Sequence, residues 1–241
     1  MIIKPKVRGF ICTNAHPVGC AKNVAEQIDY IQSQNFPKDG GAPKNVLIVG
    51  SSTGYGLASR ITAAYGYGAN TLGVFFEKPP TEKRTASAGY YNAAAFDAQA
   101  KKDGIYSESL NGDAFSHACK QQVIDKIKTD MGQVDLVIYS LASPRRIDPN
   151  TGDVFNSTLK PIGQSYTAKN LNTDSLKISD ITIEPANDEE IANTIKVMGG
   201  EDWEMWIDAL NEAGVLAEGC KTSAYTYICL LYTSPSPRDR G

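Results

Sequence analysis

Three glycines carry the first chemical signal in this chain. In the stretch 46–60, VLIVGSSTGYGLASR, an apolar run breaks at Gly50, Gly54 and Gly56 and then resumes with helix-forming residues. That pattern reads as strand, tight turn, helix. Residues without a Cβ let the backbone pass from strand to helix and let a diphosphate come up against the amides, and the unpaired N–H groups of the helix's first turn favour that anion. A dinucleotide is therefore the leading ligand, with a plain structural turn as the alternative.

Further candidates fall where later strands end. Glu77 closes the apolar run 71–76, TLGVFF, where an acid can accept hydrogen bonds from the adenosine ribose hydroxyls and repel a 2′-phosphate. This favours NADH over NADPH, although Lys78 beside it softens the repulsion. Asp113, in LNGDAF, is placed either to accept from the adenine amino group or to cap the next helix. Leu141 and Ala142, in IYSLASPRR, are small or apolar where backbone must pass close to nicotinamide or ribose. Arg145 and Arg146 read as a solvated or salt-bridged pair, with contact to a substrate phosphate as the sharper reading.

One expected group is missing. Hydride transfer to a carbonyl or enoyl group needs an acid for the oxygen that gains charge, commonly a tyrosine whose phenol is acidified by a nearby lysine. None of the twelve tyrosines has a lysine four positions later, and none has one nine positions later. A non-catalytic dinucleotide-binding module is thus the alternative to an enzyme.

The elements that must position these residues alternate along the chain. Residues 1–22 read as extended or loop-like, with Pro17 and Gly19 arguing against a helix there, and 23–34 as a helix. Strands are expected over 46–49, 71–76, 105–110 and 134–139, and helices over 55–65 and 114–131. Such alternation specifies a parallel, doubly wound α/β sheet. Residues 143–180, rich in Pro, Gly, Asn, Ser and Thr, read as a long loop on the ligand side; 187–198 and 202–216 read as helices, with Trp203 and Trp206 as packing residues.

Composition narrows the class. With 241 residues, 41% hydrophobic and 21% charged, the chain can bury a substantial core. A net charge of -3 without charge blocks gives no footprint for nucleic acid. No apolar run is long enough to span a bilayer and the N-terminus lacks a signal-peptide core, so the expected location is cytoplasmic. Cys12, Cys20, Cys119, Cys220 and Cys229 show no C-x-x-C pair and read as reduced, mostly buried thiols, with no metal site expected from Cys12, His16 and Cys20.

The glycine spacing G-x-x-x-G-x-G is similar to that of short-chain dehydrogenase/reductase-like enzymes. GFICTNAHPVGC, VLIVGSSTGYGLASRI, IYSLASPRR, EDWEMWIDALNEAGVLAEG and AYTYI, in that order, resemble the trans-2-enoyl-CoA reductase family, which includes the FabV class of enoyl-ACP reductases. The resemblance covers about residues 1–228 and implies an enlarged, monomeric, Rossmann-like relative of the short-chain dehydrogenases. It further implies a family that uses NADH to reduce the α,β double bond of an enoyl-CoA or enoyl-ACP thioester. Carried over, the cofactor contacts fall on Gly50, Ser51, Ser52, Thr53, Gly54, Tyr55, Phe76, Glu77, Asp113, Ala114, Leu141 and Ala142, and the substrate contact on Tyr227.

The match then breaks. The family continues with a Gly-Pro-rich segment to its catalytic tyrosine, then eight residues, then lysine, whereas this sequence reads CLLYTSPSPRDRG. The tyrosine's place falls on Pro237 and the lysine's lies past Gly241, so no catalytic residue is assigned. Residues 1–228 are expected to be a C-terminally incomplete NADH-binding enoyl reductase domain and 229–241 a non-native tail. Exposed sheet edge, poor solubility and little or no turnover are the expected consequences.

Overall fold

The structure, a computed structural model, describes residues 4–8, 11–37, 40–172 and 175–226. Tyr227, Cys229, Pro237 and the rest of 227–241 lie outside the described residues. The described residues divide into two compact units, one running to Leu141 and including Trp206–Tyr225, the other comprising Ala142–Met205.

In the first unit a two-stranded hairpin, β1 (Val7–Arg8) and β2 (Ile11–Cys12), precedes helix α1 (Pro17–Gln32). The helix starts earlier than the sequence reading allows. Pro17 occupies its first turn, where an N–H would lack a partner anyway, and the His16 side chain accepts from Gly19 N. Next come β3 (Asn45–Val49), α2 (Gly54–Ile61) running into a π-helical turn (Thr62–Gly66), and β4 (Asn70–Phe75). They are followed by α3 (Ala88–Lys102), β5 (Ser107–Asn111), α4 (His117–Asp130) and β6 (Val134–Tyr139).

The sheet is parallel throughout, in the order β6-β3-β4-β5, with one more strand outside β6 supplied from later in the chain. Val46 and Ile48 share a cluster with Leu136 and Ile138, and Leu47 and Val49, alternating to the opposite face, are equally inaccessible. Continuous apolar strands follow from a sheet covered on both sides. Helices α1, α2 and α3 meet in a cluster of Val24, Ile28, Leu57, Ile61 and Phe96. Chain order reverses at β3: α2 leads outward to β4, whereas α4 returns the chain to β6 on the other side. In doubly wound sheets the crevice at the carboxyl ends of such a strand pair is where ligands bind.

The second unit differs from the long loop read from its composition. It contains the hairpin β7 (Arg145–Ile147) and β8 (Val154–Asn156), the hairpin β9 (Tyr166–Asn172) and β10 (Lys177–Ile183), and helix α5 (Asp188–Met198). Helix α5 opens with a capping box in which the Asn187 side chain accepts from Glu190 N and the Glu190 carboxylate accepts from Asn187 N. Helix α6 (Glu201–Glu212) follows, and β11 (Leu216–Ala224), unpredicted, pairs in parallel with β6 as the outer strand. Its polar sequence, LAEGCKTSA, and a register shift between Leu216 and Lys221 hide the strand pattern.

One further expectation needs correction, and one open pair of readings is decided. Of the described cysteines only Cys119 is buried, because Cys12 lies on an exposed hairpin and Cys20 and Cys220 are half-exposed. Arg146 takes the salt-bridged outcome of those read for the arginine pair, in a buried setting: it donates to Lys196 O and pairs with the Glu201 carboxylate. No helix among the described residues is long and apolar enough to cross a membrane, and they contain no group of three or more His, Cys, Asp or Glu that could hold a metal.

Candidate functional site

The turn after β3 sits at the switch point. Gly50 has φ +89°, a region that L side chains avoid, and a Cβ on it would lie 2.5 Å from Ser140 O and 2.9 Å from Leu141 N. The end of β3 therefore lies directly against the end of β6, and Ser140 N closes the gap by donating to Val49 O at 2.7 Å. On the other side Gly50 N and Ser51 N both donate to Val74 O. Gly56 is equally constrained, since a Cβ there would collide with Gly50 O.

Beyond this packed base the turn opens. Thr53, Gly54 and Tyr55 are exposed, and nothing lies within 4 Å of where a Gly54 Cβ would stand. Thr53 takes the N-cap position of α2 with extended backbone, and its side chain makes no cap hydrogen bond. The positive end of the helix is thus presented to an accessible space, the arrangement an anionic diphosphate fits.

The helix behind the turn is fixed by a buried cation. Arg60 donates to Thr71 Oγ1, Ser109 Oγ, Ser107 Oγ, Glu108 O and Asp97 Oδ1 at 2.6–3.2 Å, and its guanidinium lies 4.8 Å from the Phe96 ring centroid. Burial pushes its pKa down while Asp97 pulls it back up. Gly73 leaves the space for this guanidinium, because a Cβ on it would lie 2.6 Å from Arg60 Nη1.

Glu77 stands two residues past β4. Its Oε1 accepts from Ser52 Oγ at 2.7 Å, so one member of the glycine turn touches the acid. Ser52 is held in turn by Asn92, whose Nδ2 donates to Ser52 O at 3.2 Å. The neighbouring Phe76 is exposed.

After β5, Asp113 folds back on its own loop: Oδ1 accepts from Phe115 N at 3.0 Å, and its carbonyl accepts from Ser116. Ser116, not Asp113, caps α4. The buried Ala114 turns its carbonyl toward two donors, Lys120 Nζ and Trp206 Nε1, both at 3.1 Å. Lys120 is itself buried, 5.1 Å from the Trp206 ring centroid. Leu141 follows β6 against Gly50, and Ala142 begins the second unit.

Sequence reasoning missed Arg60, Lys120, Asn92, Asn111 and Gly89. For two of them a signal exists: Arg60 lies in register with Leu57 and Ile61, and Lys120 with Val123, Ile124 and Ile127, so each cation interrupts an inward apolar stripe. Sequence-derived Tyr227 cannot be placed, being outside the described residues.

A parallel sheet with flanking helices and a glycine turn at its switch point defines a Rossmann-like nucleotide-binding fold. Comparison with known proteins gives the family. Residues 2–82 match the NAD(P)H binding domain of trans-2-enoyl-CoA reductase, and residues 84–238 match the trans-2-enoyl-CoA reductase catalytic region. The chain belongs to the trans-2-enoyl-CoA reductase family.

An enoyl-[acyl-carrier-protein] reductase [NADH] of Saccharophagus degradans is 71% identical over 228 residues, which are 95% of this chain and 57% of that protein. The Treponema denticola trans-2-enoyl-CoA reductase, solved in complex with NAD, superposes with a TM-score of 0.91 at 53% identity, covering 95% of this chain and 58% of its own. The Clostridium acetobutulicum enzyme, in complex with NADH, gives 0.88 at 40% identity, covering 95% and 57%. The chain therefore spans somewhat more than half the length of these relatives.

Proposed function

We propose that these residues form the cofactor-binding part of an NADH-dependent reductase of the carbon–carbon double bond in trans-2-enoyl thioesters. The observation that carries this reading is the turn at the β3–β6 switch point, tightly packed beneath and open above, with Glu77 tethered to its Ser52. Gly50, Ser51, Ser52, Thr53, Gly54 and Tyr55 would hold the diphosphate through amides and the α2 terminus. Phe76 and Glu77 would take the adenosine ribose, Asp113 and Ala114 the adenine, and Leu141 and Ala142 the nicotinamide side. NADH, when bound, supplies a hydride. The chain's own part is to orient the dinucleotide and, through Glu77, to disfavour a 2′-phosphate.

Tyr227 is assigned to substrate contact, with enoyl-CoA or enoyl-ACP as the partner. Cytoplasmic location and a monomeric full-length state belong to the same reading. The 241 residues hold no tyrosine followed by lysine nine positions later, so we assign them binding without turnover. That same absence favours a second reading, a dinucleotide-binding module with no chemistry.

Titrating the chain with NADH, following energy transfer from tryptophan to nicotinamide, tests the binding. Saturation below about 1 mM is expected, and a flat titration of folded protein would overturn it. Joining the remaining C-terminal segment of a relative after Ile228 separates the two readings. Restored NADH oxidation with crotonyl-CoA supports the reductase, and a folded, NADH-binding chimera without turnover supports the module.

A further inference from the structure

Asn111 ends β5 and faces Phe75 in the β4–β5 pairing. The backbone ladder closes just beyond it, where Gly112 N donates to Phe75 O at 2.8 Å. The Asn111 side chain then carries the pairing one step further. Glu77 N donates to Asn111 Oδ1, and Asn111 Nδ2 donates to Glu77 O, each at 2.9 Å. A primary amide offers the same donor and acceptor as a peptide group, so Asn111 stands in for an absent strand residue and pins both backbone polar atoms of Glu77.

The other end of Glu77 is held independently. Ser52 donates to Oε1, and Gly89 provides the space in which the carboxylate rests, since a Cβ there would collide with Oε1 and lie 2.6 Å from Cδ. Groups from the glycine turn, α3 and β5 thus converge on one half-buried loop acid. A carboxylate free to swing could move away from a 2′-phosphate and let the adjacent Lys78 meet it instead. One fixed at backbone and tip cannot, and the repulsion falls on the ligand.

We propose that Asn111 is a positioning residue that sets cofactor preference, holding Glu77 where it selects a ribose 2′-hydroxyl over a 2′-phosphate. This rests on the NADH-binding reading above and adds to it a residue that acts through Glu77. A purely structural role would weaken binding of both dinucleotides in parallel. A positioning role changes their ratio.

The test measures dissociation constants of NADH and NADPH on the whole 241-residue chain, its Asn111→Ala variant and its Gly89→Ala variant. The NADPH-to-NADH ratio is expected to fall up to about tenfold in Asn111→Ala, the upper worth of one neutral hydrogen bond. Gly89→Ala, which displaces the same carboxylate from the other side, is expected to lower the ratio likewise and carries the test if Asn111→Ala does not fold. A parent chain that binds NADH while the ratio stays unchanged in the folded variants overturns the role of Asn111 alone. A folded parent that binds neither dinucleotide overturns the NADH reading and this inference with it.

Discussion

Each of the two units buries an arginine, and the two are held in different ways. Arg60 lies beneath α2 among Thr71, Ser107, Ser109 and Glu108 O, and its acid partner, Asp97, accepts from both serines. Arg146, on β7, meets the Lys196 carbonyl and a Glu201 carboxylate that also binds Lys196. The side chain of Asp97 is 26% exposed and that of Glu201 39%. A guanidinium is therefore no guide by itself to surface or site. In the first unit it stiffens the helix whose tip faces the proposed diphosphate, and in the second it ties a small hairpin to the helical segment that follows.

The largest expected effect is on the first of these. Arg60→Met removes the cation that these acceptors share and leaves Asp97 with two serines, at a cost of about 3–5 kcal/mol. Denaturant unfolding followed by fluorescence of the buried Trp206 measures it. A loss of less than about 1 kcal/mol, the scale of a surface pair, would erase the contrast between the two arginines. Arg146→Met is expected to cost less, about 1–3 kcal/mol, because its carboxylate partner keeps Lys196 and solvent. Hydrogen exchange resolved over β7, β8 and α5 locates that loss. Gly73→Ala sharpens the comparison without touching a charge. The added methyl meets the Arg60 guanidinium and Ser51, so about 1–3 kcal/mol of overpacking strain is expected, together with weaker NADH binding through the displaced Ser51.

These residues also show what the sequence made legible. The sheet was readable because a strand segment buried on both faces must be apolar at every position, as in Val46–Val49 and Val137–Tyr139. The glycine turn was readable because its backbone tolerates no Cβ at Gly50 or Gly56. Helix α3 was not, since AGYYNAAAFDAQAKK spreads alanine around every face and buries only Gly89, Ala93, Phe96 and Ala100. The β9–β10 hairpin was hidden for the opposite reason. With Ile178 opposite Leu171 and both exposed, its side chains mark no buried face, and its stability lies in backbone pairing that composition does not record. Asn111 escaped because its role is played by a side-chain amide imitating backbone, in a segment, LNGD, that reads as an ordinary turn.

The smallest effect is the one that pH should draw out of the second unit. Burial raises the Glu201 carboxyl, but hydrogen bonds from Lys196 and Arg146 outweigh it and hold the group below the ordinary carboxylate range. A carboxyl whose folded pKa is depressed stabilises fully above its unfolded value, about 4.3, and loses that contribution as pH falls toward the folded value. Protection of α5 amides against hydrogen exchange is therefore expected to decline as the solution is taken from about pH 5 to pH 3, and Glu201→Gln is expected to start lower and to lack that component of the decline. An identical acid profile in the variant would show that Arg146 does not depend on this carboxylate's charge. The two buried arginines would then differ in their surroundings but not in how they are held.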